Sequence, residues 1–204
     1  MQREPISQRI GKAIAAVWGW QIVADQPPPR KCVIIGAHHT TGWDLPLALL
    51  FIAASNLPLK WVGKDSLFVP PIGWLLKAFG GIPVNRRVHG NFVEKMAEEF
   101  RTRETFMMVI APEGTRRYTA KWKTGFYYIA QTAGVPIVLG FVDFKRKAVG
   151  LGPVLTLSGN IQDDFKVIRK FYSTVTGKYP ERHGEIQIDL PQKMLDADER
   201  GARG

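Results

Sequence analysis

Two adjacent histidines, His38 and His39, open the stretch HHTTGWD, and Asp44 closes it five residues after the second. An aspartate that accepts a hydrogen bond from an imidazole Nδ1–H fixes the ring's tautomer and supports the imidazolium as it forms. The free Nε2 is then a general base for a hydroxyl or a water. His39 and Asp44 have this option if they bridge a strand end and a helix start. No partner nucleophile is evident. The chain has no G-x-S-x-G elbow, and its single cysteine, Cys32, lies inside the apolar run KCVIIGA. The pair is therefore expected to act directly on a substrate hydroxyl. A helix-capping aspartate beside a structural histidine has the same spacing, so the pattern alone leaves both readings open.

Two further polar clusters stand after apolar runs. NRR, residues 85–87, follows GIPV, and PEGTRR, residues 112–117, follows FMMVIA. Guanidinium groups bind phosphate bidentately. Glu113 and Arg116 flank a glycine bend where polar groups leaving a buried strand must find partners. In open α/β sheets ligands sit at the carboxyl ends of strands, so clusters distant in sequence can converge there.

The elements that would position them alternate. Strands are expected at 32–37, 59–63, 81–85, 106–111 and 135–144. Helices are expected at 44–55, 73–80, 91–103 and 125–134, the third with an Asn91/Glu94 capping box and a stripe of Phe92, Met96 and Phe100. After residue 150, PVLTLSG and GEIQIDL read as strands flanking a helix at about 162–176. The fold class is α/β: one layered domain with a mainly parallel, mixed central sheet flanked by helices. An amphipathic helix over 6–23 precedes it, with Ile6, Ile10, Ile14, Val17 and Trp18 at helical spacing. Such a helix either lies in a membrane interface or packs on its own domain. DQPPPRK is expected to end it and to act as a stiff linker. The division is thus helix and linker to residue 30, a domain over 31–190, and a polar tail over 191–204.

Four blocks, HHTTGWD, GGIPVNRR, APEGTRR and GVPIVLG, stand in the order and spacing of the glycerolipid acyltransferases. Over about residues 31–145 the chain resembles a compact bacterial branch of the 1-acylglycerol-3-phosphate acyltransferase family. The resemblance implies acyl transfer from acyl-CoA or acyl carrier protein, as co-substrate, to a lysophospholipid hydroxyl, with no metal or other cofactor. It implies His39 as general base and Asp44 as its orienting partner. It implies that Arg86 binds the acceptor phosphate and that Glu113, Gly114, Thr115 and Arg116 help to bind the glycerol phosphate. Pro136 lies in the fourth block, linked to the acyl or pocket-wall side. His38 matches no catalytic position and is expected to be strand-end packing or a group supporting the site from behind. Gly42 and Asn85 depart from the asparagine and aspartate common in relatives.

The charge balance agrees with anionic partners: 28 basic against 18 acidic residues give +10. No nucleic-acid motif is present, so nucleic acid is not expected. An acceptor other than a phosphorylated lysolipid, such as a lyso-aminolipid, and a non-catalytic anionic-lipid-binding module are the alternatives. One cysteine allows no intrachain disulfide and points to a reducing compartment. No apolar run reaches the ~18 residues of a spanning helix. The expected location is cytoplasmic, peripheral on the inner membrane.

Overall fold

A computed structural model describes residues 4–84 and 92–188. The predicted strand after residue 31 is β2, Lys31–Ala37, and it lies in the middle of a seven-stranded sheet. Its alternation builds both cores. Cys32 and Ile34 point to one face, Val33, Ile35 and Ala37 to the other. The other strands are β1 (Gln21–Ala24), β3 (Leu59–Lys64), β4 (Gly81–Val84), β5 (Phe106–Ile110), β7 (Ile137–Asp143) and β8 (Ala148–Leu155). Their order is β1-β8-β7-β2-β5-β3-β4. Every pairing is parallel except β7 with β8. The sheet is mainly parallel and mixed, as the alternation implies.

On one face α2 (Asp44–Ser55) sets Phe51 against Cys32, Ile34 and Val138. The short helix α3 (Ile72–Ala78) follows on the same face. Trp61, on the strand face of Leu59, stacks on Phe68 at 5.6 Å and donates its indole N–H to the Phe79 carbonyl at 2.9 Å. The opposite face carries α4 (Phe92–Thr102), α5 (Gly125–Ala133) and α6 (Ile161–Tyr172), with Phe100, Phe126 and Phe165 fully buried. Met96 and Phe100 form the stripe expected of α4 and Phe92 is half-buried. Asn91 of the expected capping box lies outside the described residues.

The N-terminal helix is shorter than its periodicity implies. α1 spans Ile6–Trp18 and ends at Gly19, not at the proline run. Gly19 has φ +70°, and the N–H groups of Gly19 and Trp20 close on the carbonyls of Ala16 and Ala15. Residues 21–24 then become β1, paired with β8 at the sheet edge. Glycine's left-handed turn overrides the helical spacing, and the β-branched pair Ile22-Val23 suits the strand. Near the other end, α6 stops at Tyr172 rather than 176. The described part of GEIQIDL does not join the central sheet. It forms β9 (Gln187–Ile188), a two-residue partner of β6 (Lys121–Trp122). β8 starts at Ala148, ahead of the predicted PVLTLSG, because the glycines of AVGLG mask a buried strand.

α1 packs on α2 through its smallest residues. Gly11 and Ala15 are buried, while Ile6, Ile10, Ile14, Val17 and Trp18 face outward. A methyl group on Gly11 would lie 2.7 Å from the Ala54 backbone nitrogen, which cannot give way. Replacing glycine in a helix gains at most ~1 kcal/mol in propensity. Overpacking a close seam costs about 1–3 kcal/mol, so the clash wins. Gly11→Val is expected to lower the urea-unfolding free energy by ~1–3 kcal/mol. Unchanged or raised stability would refute the close seam.

Candidate active site

The carboxyl ends of β2, β3 and β5 lie at one end of the sheet. The loop after β2 carries His39. Its Nδ1 lies 2.9 Å from Asp44 Oδ2, in the first turn of α2, where the helix dipole favours a negative side chain. The same oxygen accepts the Thr41 N–H at 3.0 Å. With an ionised Asp44 the proton sits on His39 Nδ1, and Nε2 keeps its lone pair. The His39 side chain is 29% exposed and Asp44 9%. The imidazole is reachable while its carboxylate partner is shielded.

Glu113, beyond the end of β5, reaches across to the same loop. Its Oε1 accepts the His39 backbone N–H at 3.0 Å. Burial pushes its carboxyl up to about 8, against the lowering effect of the His39 bond, and the Asp44 charge adds to the rise. Among the described residues its Oε2 and Asp44 Oδ1 are buried with no hydrogen-bond partner. Gly114 has φ +64°, a conformation that favours glycine, and a methyl there would press on Lys123 at 3.2 Å. Thr115 Oγ1 accepts the Arg117 N–H at 3.2 Å, bracing the turn. Arg116 is exposed, and a methyl on Gly42 would come within 3.1 Å of its Nη1. The glycine that departs from the common asparagine leaves room for that guanidinium.

His38 turns the other way. It is buried, its Nε2–H donates to the Tyr172 carbonyl at 3.2 Å, and its ring stacks on His183 at 3.8 Å. Burial pushes it down to about 4, with His183 acting in the same direction. At neutral pH it is uncharged, so its 3.8 Å approach to Glu113 is a packing contact rather than an ion pair. Cys32 is fully buried and its thiol is pushed up to about 12 by burial.

The structure therefore gathers His39, Asp44, Glu113, Gly114, Thr115 and Arg116 at one end of the sheet. It does not bring Pro136 there. That residue precedes β7 at the opposite end, where its carbonyl accepts the Val33 N–H at 3.0 Å, about 15 Å along the strands. Arg86 and Asn85 lie outside the described residues. Sequence reasoning missed Lys123, which lies against Gly114, and the contacts made by residues 177–183. Lys123 lies in the sequence KWKTG, two residues before α5 begins at Gly125. Residues 177–183 belong to no motif. Among the described residues no group of three or more His, Cys, Asp and Glu is gathered as a metal site.

A family model described as Acyltransferase matches residues 22–138. The chain belongs to the acyltransferase family. The match covers more than half of its length, contains the first three blocks whole and ends inside the fourth, after GVPIV. The crystal structure of the 1-acyl-sn-glycerophosphate (LPA) acyltransferase PlsC from Thermotoga maritima shares the fold, with TM-score 0.55 and 17% identity. The alignment covers 84% of this chain and 80% of that one. No curated protein matches the sequence.

The buried carboxyl has a consequence for stability. Glu113 titrates near 4.5 when unfolded and near 8 when folded. The folded state holds the extra proton, so this contribution is complete below pH 4.5 and is lost as pH rises through 8. His38 and His183, both lowered from 6.5, act in the opposite sense only up to that pH. Between pH 6.5 and 8 the Glu113 effect stands unopposed by them. Urea-unfolding free energy is expected to fall across that window in the wild type and to fall less in Glu113→Gln. Equal slopes would overturn the assignment.

Proposed function

We propose that this acyltransferase moves a fatty acyl group from an acyl thioester to a lysophospholipid hydroxyl, with 1-acylglycerol-3-phosphate as acceptor and phosphatidic acid as product. The observation that carries the reading is the 2.9 Å contact of His39 Nδ1 with Asp44, which leaves Nε2 free at the exposed end of the sheet. The neighbouring hydroxyls support direct transfer. Thr40 and Thr41 are buried and accept the N–H groups of Tyr179 and Trp43. His39 Nε2 takes the acceptor's hydroxyl proton as its oxygen attacks the thioester carbon. The tetrahedral adduct then expels the thiolate, which takes the proton from the imidazolium. A thiol of pKa about 8.5 leaves readily, so no stronger acid is needed. Arg116, with Arg86 from the second block, supplies guanidinium for the phosphate. Acyl-CoA and acyl carrier protein are both compatible donors.

The exposed apolar residues support a membrane-bound acceptor. Val17 is 84% and Ile6 74% exposed on the outer stripe of α1. Leu67, Val69, Ile72, Trp74 and Leu75, after the carboxyl end of β3, are also exposed, as is Trp43 beside the His39 loop. Lys64 and Lys77 flank this second patch, and Arg9 and Lys12 lie on α1. Apolar side chains rimmed by cations fit an anionic lipid surface. No helix among the described residues is long and apolar enough to cross a membrane. The protein on this reading is peripheral, on the cytoplasmic face of the inner membrane.

The deciding assay is transfer from labelled acyl-CoA to lysophosphatidic acid in detergent micelles, wild type beside His39→Ala. Product is expected with wild type, and a rate lower by roughly 10²–10⁴-fold with the variant. Equal rates would remove His39 from the chemistry. For the lipid surface, Ile10→Glu/Val17→Glu and Trp74→Glu/Leu75→Glu are each expected to lower flotation with phosphatidylglycerol-containing vesicles. A pair that floats like wild type is not a contact. These substitutions are used because truncation through residue 24 would also remove β1.

A further inference from the structure

The family match ends at residue 138, yet the chain returns to the His39 loop well after it. Beyond α6 the segment 177–183 lies across residues 38–43. The Tyr179 backbone N–H donates to Thr40 Oγ1 at 3.3 Å, and Arg182 Nη1 donates to the Thr40 carbonyl at 3.1 Å. His183 stacks on His38 with ring planes 13° apart, and its Nε2 accepts the Gly177 N–H at 3.0 Å. Lys178 lies over the Trp43 ring at 5.6 Å, and Arg182 over Tyr179 at 4.4 Å. The fit leaves no slack. A methyl on Gly177 would fall 2.7 Å from His183 Nε2 and 3.0 Å from Thr40 Oγ1.

Thr40 is the residue between the base and the N–H that fixes its partner: His39 precedes it, and Thr41 N–H bonds Asp44. Both polar groups of Thr40 that face the segment are held by it. From this geometry we propose that residues 177–183 are a positioning clamp for the His39–Asp44 loop, with Arg182 and His183 as its positioning residues. Arg182 holds the peptide that follows His39–Thr40. His183 holds the turn of the segment closed, through Gly177, and backs His38. Neither touches the reacting atoms. They act by keeping the imidazole aimed, and misplacement of a reacting group by ~1 Å can cost on the order of 100-fold in rate.

The kinetic part of the test rests on the acyl-transfer reading, and the spectroscopic part does not. Arg182→Met keeps most of the stem and removes the donor. His183→Phe keeps the ring stack and removes the acceptor. Arg182→Lys keeps a donor of shorter reach. For the first two, kcat is expected to fall by roughly 10- to 100-fold, with acceptor and donor KM little changed, and Arg182→Lys is expected to recover part of the loss. In ¹⁵N-labelled protein, the wild-type His39 ring is expected to be a single Nδ1–H tautomer, and Arg182→Met a mixture. An unchanged tautomer population in folded Arg182→Met overturns the clamp. So does a fall in kcat that tracks a fall in melting temperature and is not relieved by Arg182→Lys. A wild type inactive with every donor and acceptor refutes the acyl-transfer reading, while the tautomer measurement still decides the clamp.

Discussion

Once β2 ends at Ala37, its backbone can no longer be satisfied by neighbouring strands, yet the next residues stay buried. Every buried N–H and C=O in 38–43 needs an acceptor or donor from elsewhere. Three sources supply several of them. Glu113 takes the His39 N–H, Asp44 takes the Thr41 N–H, and the segment after α6 takes both faces of Thr40. The site is the place where these three converge. On the proposed reading, the groups that satisfy the backbone are also the groups that aim the imidazole, so the stability of this loop and its chemistry are not separable.

That economy has an electrostatic side. A carboxylate orients an imidazole only if it stays fixed, and Asp44 is fixed by bonding His39 and Thr41 through one oxygen. A second carboxyl sits close behind. Burial raises Glu113 far enough that it is largely protonated at neutral pH, which spares the loop a second buried negative charge. His38 is kept neutral by the same burial. Two histidines adjacent in sequence thus meet opposite surroundings, one half in solvent and one inside the wall.

Much of this was legible in the sequence where chemistry is local. The His-x4-Asp spacing, the apolar run before it and the glycine of PEGTRR each fix a neighbourhood of a few residues, and the observed bonds fall where those residues imply. The strand order was less accessible, because antiparallel β8 is written in glycines and β1 continues a helical pattern. α1 shows the limit of periodicity most clearly. Its large apolar residues at 6, 10, 14 and 17 mark a stripe, but the seam against α2 runs through Gly11 and Ala15. Small residues permit close backbone approach and carry little hydrophobic signal. The contacts of Arg182 and His183 were invisible for another reason: they pair with residues about 140 positions earlier, and no spacing rule spans that distance.

The continuation of α1 into β1 fixes more than a boundary. A helix joined to its domain through a flexible tether samples many orientations, and any surface it meets must pay to choose one. Here Gly19 turns the chain directly into a strand hydrogen-bonded to β8, and the other flank of the helix is seated on α2. The outward stripe has a set angle and a set height relative to His39. Whatever that stripe rests on is met in one orientation, and the entropy of choosing it was spent when the chain folded.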